Sequence, residues 1–155
     1  MEAIASVIAV LGTLLGVAIT QRFQRRALQR TEEFARREKM RQERLDAYSA
    51  YAGSLVNYRR SLVHRWFFEH EQRTDEEEVD VRRRAYDFRS QAQDALFRVE
   101  MLTDDEGLIA QARGAFERIS LVHKAQGRDE MDARRDETRR EIDDFVKAAK
   151  AYVAG

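Results

Sequence analysis

The chain begins with a long apolar run and then changes to a charged sequence with helical periodicity. Residues 3–19 contain no charged side chain and only two hydroxyl groups. As a helix, this run would be about 26 Å long, close to the roughly 30 Å thickness of the hydrocarbon core of a bilayer. The polar residues that follow, with a snorkelling Arg22, can supply the missing length. The pattern predicts a transmembrane anchor over residues 1–20.

The charges beside this run predict its orientation. Only Glu2 and the amino terminus precede it, whereas four arginines follow it with no acidic residue between them. By the positive-inside rule, the C-terminal side faces the cytoplasm, so we expect a single pass through the inner (cytoplasmic) membrane with the N-terminus outside. Anionic lipid is the expected partner of the basic cluster. The predicted lipid-contacting residues are Arg22, Arg25, Arg26 and Arg30.

Two other interpretations of the apolar run stay open. A cleaved signal peptide would carry positive charge before the run, whereas here the charge comes after it. A helix buried inside a soluble helical bundle would be equally apolar. The flanking charges and the length of the run favour the anchor.

Small residues share one face of the predicted anchor and suggest self-association. They follow one another at steps of four, three and four residues, and the last two form a G-x-x-x-G pair, which lets two helices approach closely in lipid. The chain is therefore predicted to form a homo-oligomer through this face. Its members are Ala5, Ala9, Gly12 and Gly16.

An eleven-residue step extends this face beyond the anchor. Phe23, Phe34 and Leu45 follow Gly12 at intervals of eleven. Eleven residues return to within about 20° of the same helix face, so one continuous helix would carry the small residues and the aromatic rings on the same side. We predict a charged stalk helix over residues 21–44, with Phe23 and Phe34 extending the oligomerisation face.

From residue 45 onward, apolar residues recur every three or four positions in four stretches. Capping boxes that begin at Thr74 and Thr103 predict the starts of the second and third helices, and Gly127 predicts the end of the third. The first half of the fourth stretch, residues 128–141, reads as a solvated face. The predicted core comprises Leu45, Tyr48, Tyr51, Leu55, Tyr58, Leu62 and Trp66, then Ala85, Phe88, Ala92, Leu96, Val99 and Leu102, then Leu108, Ile109, Ala112, Phe116, Ile119 and Val122, and finally Ile142, Phe145, Val146, Ala149 and Tyr152.

The fold class follows from these stretches and from the short segments between them. The chain lacks proline and has only seven glycines, which favours long helices. Short connections favour antiparallel neighbours. We therefore predict an all-α protein in which the anchor and the stalk lead into a cytoplasmic, antiparallel three- or four-helix bundle over residues 45–155.

Trp66, Phe67 and Phe68 form an aromatic cluster at the predicted tip of the bundle. Trp66 falls on the core stripe, whereas Phe68 lies roughly 140° from the centre of that face. The three rings therefore cannot all join one core. We predict that this cluster contacts a partner protein, with coverage by the following turn as the alternative.

No arrangement typical of catalysis or of cofactor binding is evident. Cysteine is absent, and no glycine-rich phosphate loop or H-E-x-x-H motif occurs. The histidines, His64, His70 and His123, have no spacing typical of metal ligands. The 28 basic residues balance 28 acidic ones, so no global field attracts nucleic acid. We predict a protein that is not an enzyme and has no cofactor, no metal and no nucleic-acid partner.

Two segments carry a family resemblance: LGTLLGVAITQRFQRR, followed by RREKMRQERLDAYSAYAGSLVNYRRSL. Together they resemble uncharacterised single-span membrane proteins of actinobacteria. The resemblance covers roughly residues 1–65, and it implies the architecture and a source without implying an activity.

The leading functional hypothesis is a membrane-anchored, non-catalytic scaffold or regulatory protein. Its expected partners are membrane lipid, further copies of the chain and an unidentified cytoplasmic protein. One alternative is a membrane-active effector, phage-linked or defensive, that oligomerises in the bilayer. The uniformly apolar anchor has no polar stripe to line a pore, which disfavours that alternative. A soluble bundle with its N-terminal helix buried is the other.

Overall fold

Every regular element that the structure describes is a helix. This computed structural model describes the backbone of residues 2–71 and 77–154, and the side chains of residues 21, 24, 28–71 and 77–154. No strand occurs among these residues, which confirms the predicted all-helical fold class. The elements are α1 (Glu2–Glu71), α2 (Glu78–Leu102), α3 (Glu106–Ser120), a short 3₁₀ helix (Val122–Lys124) and α4 (Arg128–Ala154).

The chain divides into two compact units, an N-terminal unit of residues 1–40 and a bundle unit of residues 41–155. The side chains of the predicted anchor, residues 3–19, are not among those that the structure describes. Among the residues that it does describe, no helical stretch combines the length and the apolar character needed to cross a membrane. In the N-terminal unit, the described side chains are all exposed to solvent.

The core of the bundle unit is built around the apolar stripe of α1. Tyr51 and Leu55 are completely buried, and the ring of Tyr51 meets Phe145 of α4 edge to face at 5.1 Å between centroids. α3 packs against both α2 and α4. The spacing of three and four residues therefore identified most of the buried positions correctly. Those confirmed as buried are Tyr48, Tyr51, Leu55, Tyr58, Leu62, Trp66, Ala85, Ala92, Leu96, Val99, Leu108, Ala112, Phe116, Ile119, Val122, Ile142, Phe145 and Ala149.

Polar atoms on the buried aromatic side chains of α1 connect this helix to three other parts of the bundle. The Tyr48 hydroxyl lies 2.7 Å from Thr103 Oγ1, at the end of α2. The Tyr51 hydroxyl donates to the Ala112 carbonyl of α3 at 2.8 Å. Trp66 Nε1 donates to the Ala125 carbonyl, just after the 3₁₀ helix, also at 2.8 Å. Each ring thus buries its apolar area without leaving its polar atom unsatisfied.

The predicted capping box at Thr103 does not form, and the one at Thr74 falls partly outside the described residues. α2 begins at Glu78 with Glu77 as its N-cap residue, so Glu77 is not the third residue of the helix, and Thr74 lies outside the described residues. α3 is capped by Asp105, whose side chain accepts from the Leu108 amide at 2.8 Å. Thr103 does not cap α3 because its hydroxyl is committed to the buried Tyr48. An aspartate two residues later is an equally good cap and leaves that hydroxyl available.

The third helix is shorter than predicted. α3 ends at Ser120, and a 3₁₀ turn follows before the chain reaches Gly127. Val122, the first residue of this turn, and Ala125, directly after it, are both buried. A tighter turn places these small apolar side chains against the core while the chain reverses toward α4.

The core prediction is wrong at both ends of the bundle. Leu45 and Val146, expected in the core, remain 43% and 45% exposed. Conversely, the first half of α4 is not a fully solvated face, because Met131 and Thr138 are 0% and 1% exposed. The buried stripe was not evident in the sequence because most residues around it are charged. A narrow stripe needs only one apolar residue in every one or two turns.

Candidate interaction surfaces

Trp66 belongs to the core and does not contact a partner at the surface. Its side chain is 2% exposed, and its indole nitrogen is held by the Ala125 carbonyl. The imidazole of His70 stacks on the indole ring, with 4.4 Å between centroids. The predicted partner contact is therefore wrong for Trp66, because a ring covered on all sides has no area left to bury against a second protein.

Phe67 is half-buried and packs against the core. The guanidinium of Arg128 lies 4.7 Å from the centre of the Phe67 ring, and it also bonds Glu71 at 2.9 Å and Asp132 at 3.0 Å. These contacts join the end of α1 to the start of α4. The Phe67 ring is thus largely used within the bundle.

Phe68 is half-buried and is not one of the apolar residues that pack against the core in the described part of the chain. A partner contact through Phe68 stays a prediction. In the N-terminal unit, Phe34 is 71% exposed and Arg30 is exposed as well. The other predicted oligomerisation and lipid-contacting side chains lie outside the described ones: Ala5, Ala9, Gly12, Gly16, Phe23, Arg22, Arg25 and Arg26.

A line of exposed apolar side chains runs along the outer face of α2. Val79 and Phe97 are 18 residues apart, which is about five helical turns, so they point in the same direction. Tyr86 and Met101 lie within about 40° of that direction. The exposed fractions are 63% for Val79, 70% for Tyr86, 51% for Phe97 and 79% for Met101. We refer to these four residues as the α2 outer line.

Sequence reasoning missed the α2 outer line because it traced only one apolar stripe on each helix. A helix that needs one buried face has no packing reason for large apolar residues on the opposite face. The second stripe was therefore a readable signal, with its members at intervals of seven, eleven and four residues.

A second apolar surface is a cleft between α1 and α4. It encloses about 330 Å³ and lies beside Tyr48 and Phe145. Leu45 and Val146, the two residues wrongly assigned to the core, form part of its lining, together with Ala149 and Val153. The apolar stripes of α1 and α4 are therefore slightly wider than the area over which the helices of the bundle cover them.

The described residues hold no group of three or more His, Cys, Asp or Glu side chains arranged to bind a metal ion. His123, in the 3₁₀ helix, is half-buried. Burial lowers the pKa of His123, and the positive charge of Arg65 lowers it further. The imidazole is therefore neutral at physiological pH.

Comparison with known proteins gives one result. No curated protein and no solved structure matches the chain. The family model described as KilB plasmid transfer protein matches residues 45–153, which is more than two thirds of the chain and nearly all of the bundle unit. The match begins where the apolar stripe of α1 begins and ends within the last turn of α4. By this match, the chain belongs to the KilB plasmid transfer protein family.

Proposed function

We propose that the chain is a non-catalytic helical interaction protein of plasmid transfer, held at the cytoplasmic membrane by residues 3–19 with its bundle on the inner side. The observation that carries the proposal is the α2 outer line. Its four large apolar side chains are each more than half exposed, on a helix whose opposite face is already buried.

An exposed row of this kind is costly for a protein that acts alone. Polar residues, among them Ser90 and Gln93, separate Val79 and Tyr86 from Phe97 and Met101, so the line forms two exposed apolar pairs. Exposed apolar side chains grouped in this way mark a place where another molecule binds, and aromatic residues and methionine are enriched in interfaces. The row is about six turns long from Val79 to Met101, so an apolar helix or groove on a partner protein fits it. We assign this surface to a cytoplasmic protein that takes part in the same transfer process.

The membrane part of the proposal rests on the sequence. The uncharged run of residues 3–19 and the arginines after it support a single span with the C-terminal side inside. The small residues on one face of that run support self-association of the span. Several bundles would then be presented together, which raises the apparent affinity for a partner with more than one copy.

The test is co-purification from membranes of cells that carry the plasmid, with the double variant Phe97→Ser and Met101→Ser. Both side chains are exposed, so stability should stay within about 0.5 kcal/mol of the parent. We expect the variant to lose a crosslinked or co-purified partner and to reduce plasmid transfer.

Leu121→Ser is the matched control, since Leu121 is an exposed apolar residue that belongs to neither of the two apolar surfaces. It should keep the partner. Retention of the partner by the α2 double variant, or equal loss in the control, would show that the α2 outer line is not the binding surface.

A further inference from the structure

A groove of about 680 Å³ lies in the bundle unit between α1, the first half of α2 and the 3₁₀ helix. Tyr58 and Leu62 of α1 form part of its floor, and Tyr86 of α2 stands on its rim with 70% of its side chain exposed. Its volume falls within the range of small-molecule sites. Neither the apolar core nor the α2 outer line accounts for the polar side of this groove.

The groove concentrates positive charge in a chain that has no net charge. Of the described residues that line it, none is acidic, whereas five carry a permanent positive charge. Clefts lined by one sign of charge focus the electrostatic field and attract ions of the other sign. The five cations are Arg65, Arg82, Arg83, Arg89 and Lys124.

Three of these cations are only partly neutralised. Arg65 bonds Glu69 at 2.8 Å, and Arg82 and Arg83 bond acidic residues of their own helix. Each is a pair of residues three or four positions apart, and the last two pairs are exposed, where such pairs contribute little. An arginine has five N–H donors, so one carboxylate leaves others for a ligand.

Arg89 and Lys124 form no ion pair with the described residues. Arg89 is nevertheless held in place, because its guanidinium lies 5.9 Å from the centre of the Phe116 ring. Lys124 comes from the 3₁₀ helix, whereas Arg89 comes from α2. Cations on two different elements therefore converge on the groove.

His123, which also lines the groove, responds to this field. Its pKa is lowered first by burial and then by Arg65, while Lys124 acts in the same direction. Its Nδ1 atom is buried and makes no hydrogen bond of good geometry to the residues that the structure describes. A hydrogen-bonding group of a ligand that reached this atom would satisfy it, and negative charge in the groove would offset the effect of the two cations.

We propose that this groove binds a small anion with adjacent phosphate groups, such as pyrophosphate or the polyphosphate of a nucleotide. Two or more phosphates match several cations on separate elements better than one carboxylate does, because they carry more negative charge and offer acceptor oxygens to more than one cation at the same time. Tyr86 provides an exposed ring on which a nucleobase can stack. This site overlaps the α2 outer line at Val79 and Tyr86, but its cations do not belong to that line, and Phe97 and Met101 lie outside the groove.

The test is isothermal titration calorimetry of the full-length protein in mild detergent, with sodium pyrophosphate and with ATP. We expect both anions to bind, and Lys124→Glu to weaken both by about tenfold or more, as loss of a charge-assisted hydrogen bond would. Arg98→Glu is the matched control: it makes the same charge change at an exposed position on α2 outside the groove. It should weaken binding less than about twofold.

The variant Tyr86→Ala shows whether the ligand is a nucleotide or an inorganic polyphosphate. If the ligand is a nucleotide, ATP binds more tightly than pyrophosphate and Tyr86→Ala removes the difference. Equal affinities for the two anions would identify phosphate alone as the determinant, which also supports the site. Absence of binding at millimolar concentration, or equal weakening by Lys124→Glu and Arg98→Glu, would overturn the proposal. So would binding of a DNA duplex that neither anion displaces.

Discussion

At the residue scale, the bundle unit depends on polar atoms carried by large buried rings. Tyr48, Tyr51 and Trp66 each place a donor or hydroxyl where water cannot reach it, and each finds a partner on another element. A buried polar group without a partner costs more than a formed hydrogen bond contributes. These three hydrogen bonds form only in the native register of α1. They therefore favour it over a register shifted by one helical turn.

Thr103→Val tests the Tyr48–Thr103 pair. Valine has nearly the shape of threonine but removes the hydroxyl, so the buried Tyr48 hydroxyl loses its partner and the free energy of unfolding should fall by about 1–3 kcal/mol. Chemical denaturation measures this change. Adding Tyr48→Phe should recover part of the loss, because both buried polar groups are then gone. An unchanged stability of Thr103→Val would mean that the hydroxyl of Tyr48 is hydrated.

His123 gives the bundle unit a dependence on pH. Its pKa in the folded chain lies below the 6.5 of an unperturbed histidine, chiefly because of burial. Below about pH 6.5, the His123 imidazole is therefore protonated in the unfolded chain but stays largely neutral in the folded chain. The free energy of unfolding consequently falls as the pH is lowered. His123→Gln should make the melting temperature fall less between about pH 7.5 and 5.5. If the melting temperatures of the parent and the variant fall by the same amount across this pH range, His123 is not the residue responsible.

At the element scale, helical periodicity showed which residues can be buried but not how far each helix is covered. Tyr51, Leu55 and Ile119 were placed correctly because a run of apolar residues at steps of three and four can face only one way. Leu45 and Val146 follow the same steps and remain exposed, and Ala149, which lies beyond Val146 on α4, is buried, so the apolar stripe is wider than the area that neighbouring helices cover. That information lies in the packing and not in the pattern of either helix.

The two surfaces found in the bundle unit differ in how far a sequence could reveal them. The α2 outer line is a periodic pattern and could have been read directly. The basic groove joins Arg65, Arg89 and Lys124, which are far apart in sequence and belong to three elements. Their convergence depends on how α1 and α2 pack and on the 3₁₀ turn, which replaces the predicted last part of the third helix.

Met131→Ala tests the buried stripe in the first half of α4. Met131 is completely buried, and truncation of such a side chain removes buried apolar area and leaves a cavity. We expect a loss of about 2–5 kcal/mol, measured by thermal or chemical denaturation. Glu137→Ala is the control, because Glu137 is exposed on the same helix and should change stability by less than about 0.5 kcal/mol. If Met131→Ala and Glu137→Ala both change stability by a similarly small amount, the first half of α4 is solvated, as the charge pattern predicted.

At the scale of the whole molecule, the family match and the division into units agree on where the bundle begins. The match starts at residue 45, and the bundle unit starts at residue 41. The residues before this point carry the membrane proposal, and those after it carry both proposed binding surfaces. The two parts therefore make separate predictions, and a failure of the membrane prediction would leave the α2 outer line and the basic groove unaffected.

The orientation in the membrane is tested with reporter fusions at each end of the full-length chain. Residues 3–19 are uncharged, and four arginines follow them, so a reporter that is active only outside the membrane should work at the N-terminus and fail at the C-terminus. Replacing the four arginines by glutamine is the control: with the charge asymmetry removed, the chain should insert in mixed orientations. An active C-terminal reporter together with an inactive N-terminal one would contradict the predicted orientation, and a fully soluble chain would exclude the anchor. The bundle would then meet its partners without the local concentration that a membrane provides.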